Sequence, residues 1–224
     1  MKKAGPADIV RLEWEMFAQV SNTGGKASCQ ADPATFEIMR SSQVETWPGD
    51  VLESWFEDLA AAGREGRNLM SEKYARMMKS AFPDEYRKIA DRLPSVDDGT
   101  LALIEHIVAA NLAWKLETAE KYPLLGEKGR PAHTGEDSPW ATSFETYLRG
   151  ELETYSPETV RRLYRHTRNL RDAGINGVEQ VLLNQVRKYG YASLEEAEAA
   201  QAGRMQSKNA IKLTCSDSRA IKNP

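Results

Sequence analysis

Apolar residues recur every three or four positions along most of the chain. In the first such segment Ile9, Leu12 and Met16 follow this spacing, which places side chains on one face of an α-helix. Val, Ile and Thr do not gather in the alternating runs that are typical of β-strands. The sequence therefore predicts an all-α fold. We expect one globular domain of about nine or ten helices over residues 7–203 and a flexible C-terminal tail over residues 204–224.

The longest predicted helix covers about residues 100–121. Leu101, Ile104, Val108 and Leu112 mark its apolar face. Because this face continues over several turns, we expect the helix to be the central element of the domain. The 224 residues of the chain are enough for one sizeable core.

Several helix starts are predicted from local sequence. Asp32-Pro33 and Ser156-Pro157 each combine a favourable N-cap residue with proline at the first helical position. Three further pairs have the spacing of a capping box, namely Asp50 with Glu53, Thr142 with Glu145, and Ser193 with Glu196.

Two long loops, at residues 21–32 and 121–141, interrupt the helical pattern. The first carries an amine, a hydroxyl, a thiol and an amide in five residues, at Lys26, Ser28, Cys29 and Gln30. The second contains three prolines and three glycines, and it holds His133. Loops of this length inside a compact domain are usually functional or disordered. Our hypothesis is that both loops converge on one polar pocket.

Cys29 and His133 are the candidate catalytic residues. Cys29 lies just before a predicted helix start, where the helix dipole favours a thiolate, and Lys26 would lower the thiol pKa further. His133 would transfer protons, because an imidazole titrates near neutrality. The alternative for Cys29 is a small side chain packed beneath a turn, and the alternative for His133 is a solvated loop residue.

The candidate substrate-binding residues are Lys26, Ser28, Gln30, Arg40 and Gln43. Arg40 follows the first loop closely enough to hold an anionic group together with Lys26. Another group of charged residues lies further along the chain, in the segment Glu72–Arg76. Glu72 and Arg76 are four residues apart, and we expect them to pair along one helix.

Three other groups of residues leave alternatives open. His133, Glu136 and Asp137 combine imidazole and carboxylate ligands, but three candidates in one loop are too few to assign a metal. Arg161 and His166 have the spacing of some helical ribonucleases, or they belong to a solvated helix face. Tyr147 and Glu151 share a helix face and, like Glu13 and Glu15, could line a cleft, where a buried carboxylate would suit proton transfer.

The overall charge is slightly acidic, with 30 basic and 33 acidic residues and a formal net charge of −3. This balance disfavours a dedicated nucleic-acid-binding protein. No apolar run approaches the roughly 18–20 residues of a membrane span, and no apolar segment follows the basic N-terminus, so we expect a cytoplasmic protein without a membrane partner. The two cysteines are far apart, and a structural disulfide is not expected. The sequence leaves any cofactor unidentified, and the aromatic residues leave a homo-oligomer open.

Several separated motifs resemble a bacterial family called domain of unknown function 4125. They are Glu13-Trp14-Glu15-Met16-Phe17, the loop Gly24–Gln30, Phe36-Glu37-Ile38-Met39-Arg40, Gly66-Arg67-Asn68-Leu69, Glu72–Met78 and Glu145–Leu152. The resemblance covers about residues 7–200 and implies no particular activity. The family's loop usually carries arginine where this chain has Lys26. That exchange keeps the charge but removes the planar fork that binds carboxylates in a bidentate manner.

These observations favour a small cytoplasmic enzyme that acts on a polar, anionic, amino-acid-like metabolite in specialised biosynthesis. A non-enzymatic helical binding or scaffold module is the main alternative. A metal-dependent enzyme and a helical ribonuclease are further alternatives.

Overall fold

The computed structural model describes residues 4–21 and 28–217, with the side chains of residues 28–29 and 206–217 left out of the description. Within these ranges the chain is helical, and its only bridge between extended residues is an isolated antiparallel one between Ser138 and Ala141. The predicted all-α fold is confirmed. No helix in the described part of the chain combines the length and the apolar character that crossing a bilayer requires.

Eleven α-helices are found in the described ranges. They are α1 (Pro6–Phe17), α2 (Pro33–Val44), α3 (Gly49–Arg64), α4 (Leu69–Ala81), α5 (Pro83–Arg87), α6 (Asp98–Lys121), α7 (Pro123–Gly126), α8 (Phe144–Leu152), α9 (Pro157–Asp172), α10 (Gly177–Lys188) and α11 (Leu194–Asp217). Short 3-10 turns cover Ser28–Ala31, Ala90–Arg92 and Thr134–Glu136.

The two proline-marked helix starts are confirmed. Asp32 accepts a hydrogen bond from the Thr35 backbone N–H at 3.0 Å and so caps α2. Ser156 accepts one from the Thr159 N–H at 3.2 Å and caps α9. Each cap satisfies a backbone donor that has no partner inside the helix.

Two of the three predicted capping boxes are wrong. Pro48 is the N-cap residue of α3, and Asp50 lies within its first turn. The cap of α8 is Ser143 rather than Thr142, one residue later, and the Glu145 carboxylate instead accepts from the Thr134 N–H at 2.8 Å. Tertiary contacts decide where α8 begins, because the preceding loop folds back against the first residues of this helix.

The predicted cap by Ser193 is confirmed at the start of α11, whereas the Glu196 carboxylate binds the N–H of the residue before the cap. Ser193 accepts from the Glu196 N–H, and the Glu196 carboxylate accepts from the Ala192 N–H. The helix then runs past Gly203 to Asp217, so helix occupies much of the segment expected to be a tail. The domain division at residue 203 and the flexibility of the segment stay predictions.

The long helix α6 packs against α7, α8, α9 and α10. Ile104, Ile107 and Val108 form its buried face, whereas Leu101 and Leu112 are partly exposed. The main core joins these residues to apolar side chains of α1, α3, α4, α8 and α9. A second, smaller cluster around Val186 and Leu194 holds α10 and α11 together.

Helices α4 and α8 approach closely at Gly150. A Cβ atom built there would lie 3.0 Å from Met77 Cγ and 3.2 Å from the Lys73 carbonyl oxygen. The backbone of α4 occupies the space that any side chain at this position would need. The absence of a Cβ therefore sets the distance between the two helices.

The variant Gly150→Ala should be destabilised by about 1–3 kcal/mol, because the added methyl group forces the two helices apart. Chemical denaturation measures the change in the free energy of unfolding. The matched control is Gly63→Ala in α3, where nothing lies within 4 Å of the added Cβ and where alanine should stabilise by up to about 1 kcal/mol. Equal effects at both positions would contradict the close packing at Gly150.

Candidate ligand-binding site

A buried guanidinium joins the first two helices. Arg40 of α2 is only 5% exposed, and its Nε and Nη2 donate to the two carboxylate oxygens of Glu13 in α1, at 2.7 and 2.6 Å. The Trp55 indole N–H donates to the same carboxylate at 2.8 Å. This bidentate pairing is the strongest geometry available to an arginine.

A second buried carboxylate, Glu151 of α8, completes the arrangement. It accepts from Arg40 Nη1 at 3.1 Å and from the Tyr155 hydroxyl at 2.8 Å. The Lys73 ammonium of α4 donates to its other oxygen and also lies 3.6 Å from the centre of the Tyr147 ring. Glu13, Arg40, Lys73 and Glu151, which we call the charge network, thus contain two positive and two negative groups.

The charge network shifts the pKa values of Glu151, Arg40 and the neighbouring Tyr155. Burial alone would raise the pKa of Glu151, but the charges of Arg40 and Lys73 hold that pKa well below its usual range. Burial likewise opposes the charge on Arg40, yet Glu13 and Glu151 raise its pKa. Burial and the Glu151 charge raise the pKa of Tyr155. At neutral pH Glu151 and Arg40 are therefore ionised and Tyr155 is a neutral donor.

A cavity of about 140 Å³ lies beside the charge network. It is partly open and is lined by residues of α2, α6, α8, α9 and α10 and of the segment after α2. Its walls are mostly apolar and include four aromatic side chains, Trp47, Trp114, Phe144 and Tyr147. The aliphatic part of the lining includes Ile107, Leu148, Leu152, Leu163, Leu170, Val178 and Val181.

Glu151 of the charge network lines the cavity, and so does Gln43, which contacts the network. The Gln43 side-chain oxygen accepts from Arg40 Nη1 at 2.9 Å. The Gln43 side-chain nitrogen donates to the Glu151 carboxylate at 3.4 Å. These contacts orient the Gln43 amide at the edge of the cavity. The network thereby supplies a positioned polar group to an otherwise apolar wall.

Four more polar side chains line the cavity, those of Thr46, Asn111, His166 and Thr167. The Asn111 side-chain amide donates to the Ile107 backbone carbonyl at 2.9 Å, which fixes the position of this side chain. Burial lowers the pKa of His166, although the Asp50 charge and a contact with the Thr46 backbone act against this. His166 is consequently a neutral imidazole at physiological pH, able to accept or donate one hydrogen bond.

The structure brings together Arg40 and Gln43, two of the predicted substrate-binding residues. It places Gln30 elsewhere, because the Gln30 amide donates to the Phe17 and Val20 carbonyls at 3.0 and 2.8 Å and so closes the end of α1. His133 is exposed, and its backbone N–H donates to Glu136. The described lining of the cavity does not include His133.

The remaining predicted residues lie in the first loop. Lys26 is outside the described residues, and Ser28 and Cys29 are described only as the backbone that begins a 3-10 turn. Their roles, and the convergence of the two loops on one pocket, stay predictions.

The carboxylates of the second loop have structural partners. Asp137 accepts hydrogen bonds from the Ser80 and Thr146 hydroxyls and from the Ser143 N–H. In the part of the chain that the structure describes, no three His, Cys, Asp or Glu side chains lie close enough to hold a metal ion.

Arg161 and His166 point in different directions from α9. Five residues along a helix correspond to a rotation of about 140° away from the starting face. Arg161 is exposed and donates to Glu158 at 2.9 Å, whereas His166 lines the cavity. The two side chains are therefore not placed to act on one phosphodiester.

The predicted pairing of Glu72 with Arg76 is wrong. The Glu72 carboxylate instead accepts hydrogen bonds from Nε and Nη2 of Arg67, at 2.9 and 2.8 Å. Arg76 donates to Glu153 at 2.8 Å and to the Pro94 carbonyl at 2.6 Å. Both side chains have partners outside their own helix, and such partners outweigh the weak attraction of an exposed pair four residues apart.

Sequence reasoning did not assign Lys73 to the site, although a signal was present. Lys73 lies four residues after Leu69 and four before Met77, both of which are buried, so it occupies a core position of α4. A charged residue on the apolar face of a helix indicates a buried partner. The same spacing places Glu13 and Arg40 on the apolar faces of α1 and α2.

The variant Glu13→Gln should lose about 3–5 kcal/mol of unfolding free energy, because it leaves a buried cation with too little negative charge around it. Urea denaturation measures this loss. Glu15→Gln on the same helix is the control, since Glu15 forms an exposed pair with Arg11 and should change stability little. A similar small effect at both positions would contradict the importance of the network.

The order in which two carboxyl groups titrate should be reversed in the folded protein. The pKa of Glu151 is held below its ordinary value of 4.5, whereas burial raises the pKa of Asp58 above its ordinary 3.8. As the pH falls below about 4.5, the stabilisation from ionised Glu151 is lost on approach to its folded-state pKa, while protonation of Asp58 favours folding. Carbon-13 spectra of the side-chain carboxyls should show Asp58 protonating first, and the opposite order would contradict the charge network.

Comparison with known proteins agrees with the resemblance seen in the sequence. The model of a family described as Protein of unknown function (DUF4125) matches residues 6–199. No curated protein and no solved structure matches the chain. The family match thus covers the charge network and all the residues described above as lining the cavity, and the chain belongs to the DUF4125 family.

Proposed function

We propose that this protein is a small-molecule-binding helical domain whose ligand occupies the cavity beside the charge network. The observation that carries the proposal is the combination of four aromatic side chains with the polar groups of Gln43, Asn111 and His166 in one cavity lining. Ligand sites of proteins are typically concave and mostly apolar, with a few polar groups that fix orientation.

The size and walls of the cavity support a ligand with one planar ring. A dry apolar cavity of about 150 Å³ is known to hold benzene, and this cavity has a volume of about 140 Å³. Aromatic walls favour stacked or edge-on contacts with another ring. The polar side chains at its edge would then bind one hydrogen-bonding substituent of that ring.

The charges near the cavity support a neutral ligand rather than an anion. The two cations of the charge network are matched by Glu13 and Glu151, so an anionic ligand would compete with these carboxylates for Arg40. The cavity also borders Glu151, which would repel it. Taking an ion from water into such a site costs several kcal/mol unless a counter-charge is provided.

An enzyme acting on an anionic, amino-acid-like metabolite through Cys29 or His133, as favoured by the sequence, is a second proposal. It is supported by the residue types of the first loop and by the position of Arg40 between two helices that flank that loop. A cytoplasmic location and a role in biosynthesis belong to the same proposal. Benzamide and benzoate separate the two proposals, because they share a ring and differ in charge.

Benzamide should bind the unmodified protein at least about tenfold more tightly than benzoate. Fluorine spectra of protein labelled with 5-fluorotryptophan report binding through the resonances of Trp47 and Trp114, which line the cavity. The variant Val181→Phe fills the cavity and should abolish the shifts. Gln180→Phe, at the exposed neighbouring position of α10, is the control and should leave them unchanged.

Tighter binding of benzoate would refute the neutral-ligand proposal and favour the anionic metabolite. Equal binding by both phenylalanine variants would show that the probe occupies another place and would refute the cavity as the ligand site. Failure of both probes to bind at millimolar concentration would refute the proposal for ligands of one ring.

A further inference from the structure

Trp140 is the most exposed large apolar side chain in the part of the chain that the structure describes. It is 95% exposed, and the next, Tyr189, is 53% exposed. A buried tryptophan removes about 150–250 Å² from water in a core or interface. Within this chain Trp140 gains almost none of that stabilisation, so its large apolar surface is available to another molecule.

The turn that carries Trp140 is held in place by hydrogen bonds. Ser138 and Ala141 exchange two backbone hydrogen bonds, at 2.9 and 3.2 Å. The Ser138 hydroxyl also accepts from the Trp140 and Ala141 N–H groups. The neighbouring Asp137, with its three donors, ties the turn to α4 and α8. The indole is therefore presented on an ordered support, which lowers the entropic cost of binding.

A depression of about 470 Å³ lies next to this turn. Trp140 and the half-exposed Phe82 border it, together with Pro131 and Pro139. Its described lining contains the cations Lys128 and Arg130 and no carboxylate.

Both cations contact uncharged groups. The Lys128 ammonium donates to the Gln201 side-chain oxygen. Arg130 donates to the Thr142 carbonyl at 3.1 Å, and its guanidinium lies 4.3 Å from the centre of the Tyr147 ring. These contacts fix the positions of the two side chains and leave their positive charge uncompensated. The depression is thus locally positive on a chain whose net charge is −3.

We propose that this surface binds an extended, acidic segment of a partner protein. Its carboxylates would face Lys128 and Arg130, and an apolar side chain would pack against Trp140. Grooves lined by aromatic and proline side chains commonly bind extended peptides. A peptide fits the observations better than a membrane does, because the cations line a concave depression and the net charge of the chain disfavours adsorption to an anionic bilayer.

Calorimetry with two blocked synthetic peptides tests this proposal. One peptide consists of three Glu-Pro-Leu repeats, which proline keeps extended, and the other has lysine in place of each glutamate. The acidic peptide should bind with a Kd below about 1 mM, more weakly at high salt, and the lysine peptide should not bind. Trp140→Ala and Lys128→Glu should each weaken binding at least about tenfold, without a change in melting temperature.

Tyr189→Ala is the control for the loss of an exposed aromatic side chain, and Arg168→Glu is the control for reversal of a charge elsewhere on the surface. Both variants should bind the acidic peptide as the unmodified protein does. The proposal is overturned if the acidic peptide does not bind, if both peptides bind equally, or if Trp140→Ala binds as well as the unmodified protein. Binding to phosphatidylserine vesicles that requires Trp140, without peptide binding, would also overturn it and would assign the surface to membranes.

Discussion

Four charged side chains lie where almost no water reaches, and the fold accommodates them only because they neutralise one another. Glu13, Arg40, Lys73 and Glu151 come from four different helices, so their pairing specifies how α1, α2, α4 and α8 are arranged. A buried ion pair adds little net stability over apolar packing, whereas an incomplete pair is strongly destabilising. The network therefore acts mainly by excluding other arrangements of the helices. It also fixes one wall of the cavity, since Gln43 is oriented by Arg40.

Much of the fold could be predicted from the sequence because its helices are defined locally. Asp32-Pro33 and Ser156-Pro157 cap their helices through contacts within four residues, so no tertiary information was needed. The start of α8 was misplaced by one residue, because Thr142 and Ser143 both carry a hydroxyl and the fold of the preceding loop decides between them. Only the three-dimensional arrangement contains that information.

Less of the candidate site could be predicted. Tyr147 and Glu151 were expected to share a helix face, and both line the cavity. The partners of each charge were not predictable, since Arg40 lies 27 residues from Glu13 and 111 from Glu151. The expected pair of Glu72 and Arg76 failed for the same reason. Charged residues on the apolar faces of helices were the useful signal for the site. Burying a charged side chain without a partner costs too much free energy, so such a residue indicates a buried partner.

The spacing of the network along the chain has a consequence for synthesis on the ribosome. Lys73 precedes its carboxylate partner by 78 residues, which at about 5–20 residues per second corresponds to about 4–16 seconds of translation. During that interval the ammonium group must remain in water, and α4 cannot dock fully against α1 and α2. The nascent chain therefore cannot complete its core until α8 has left the exit tunnel.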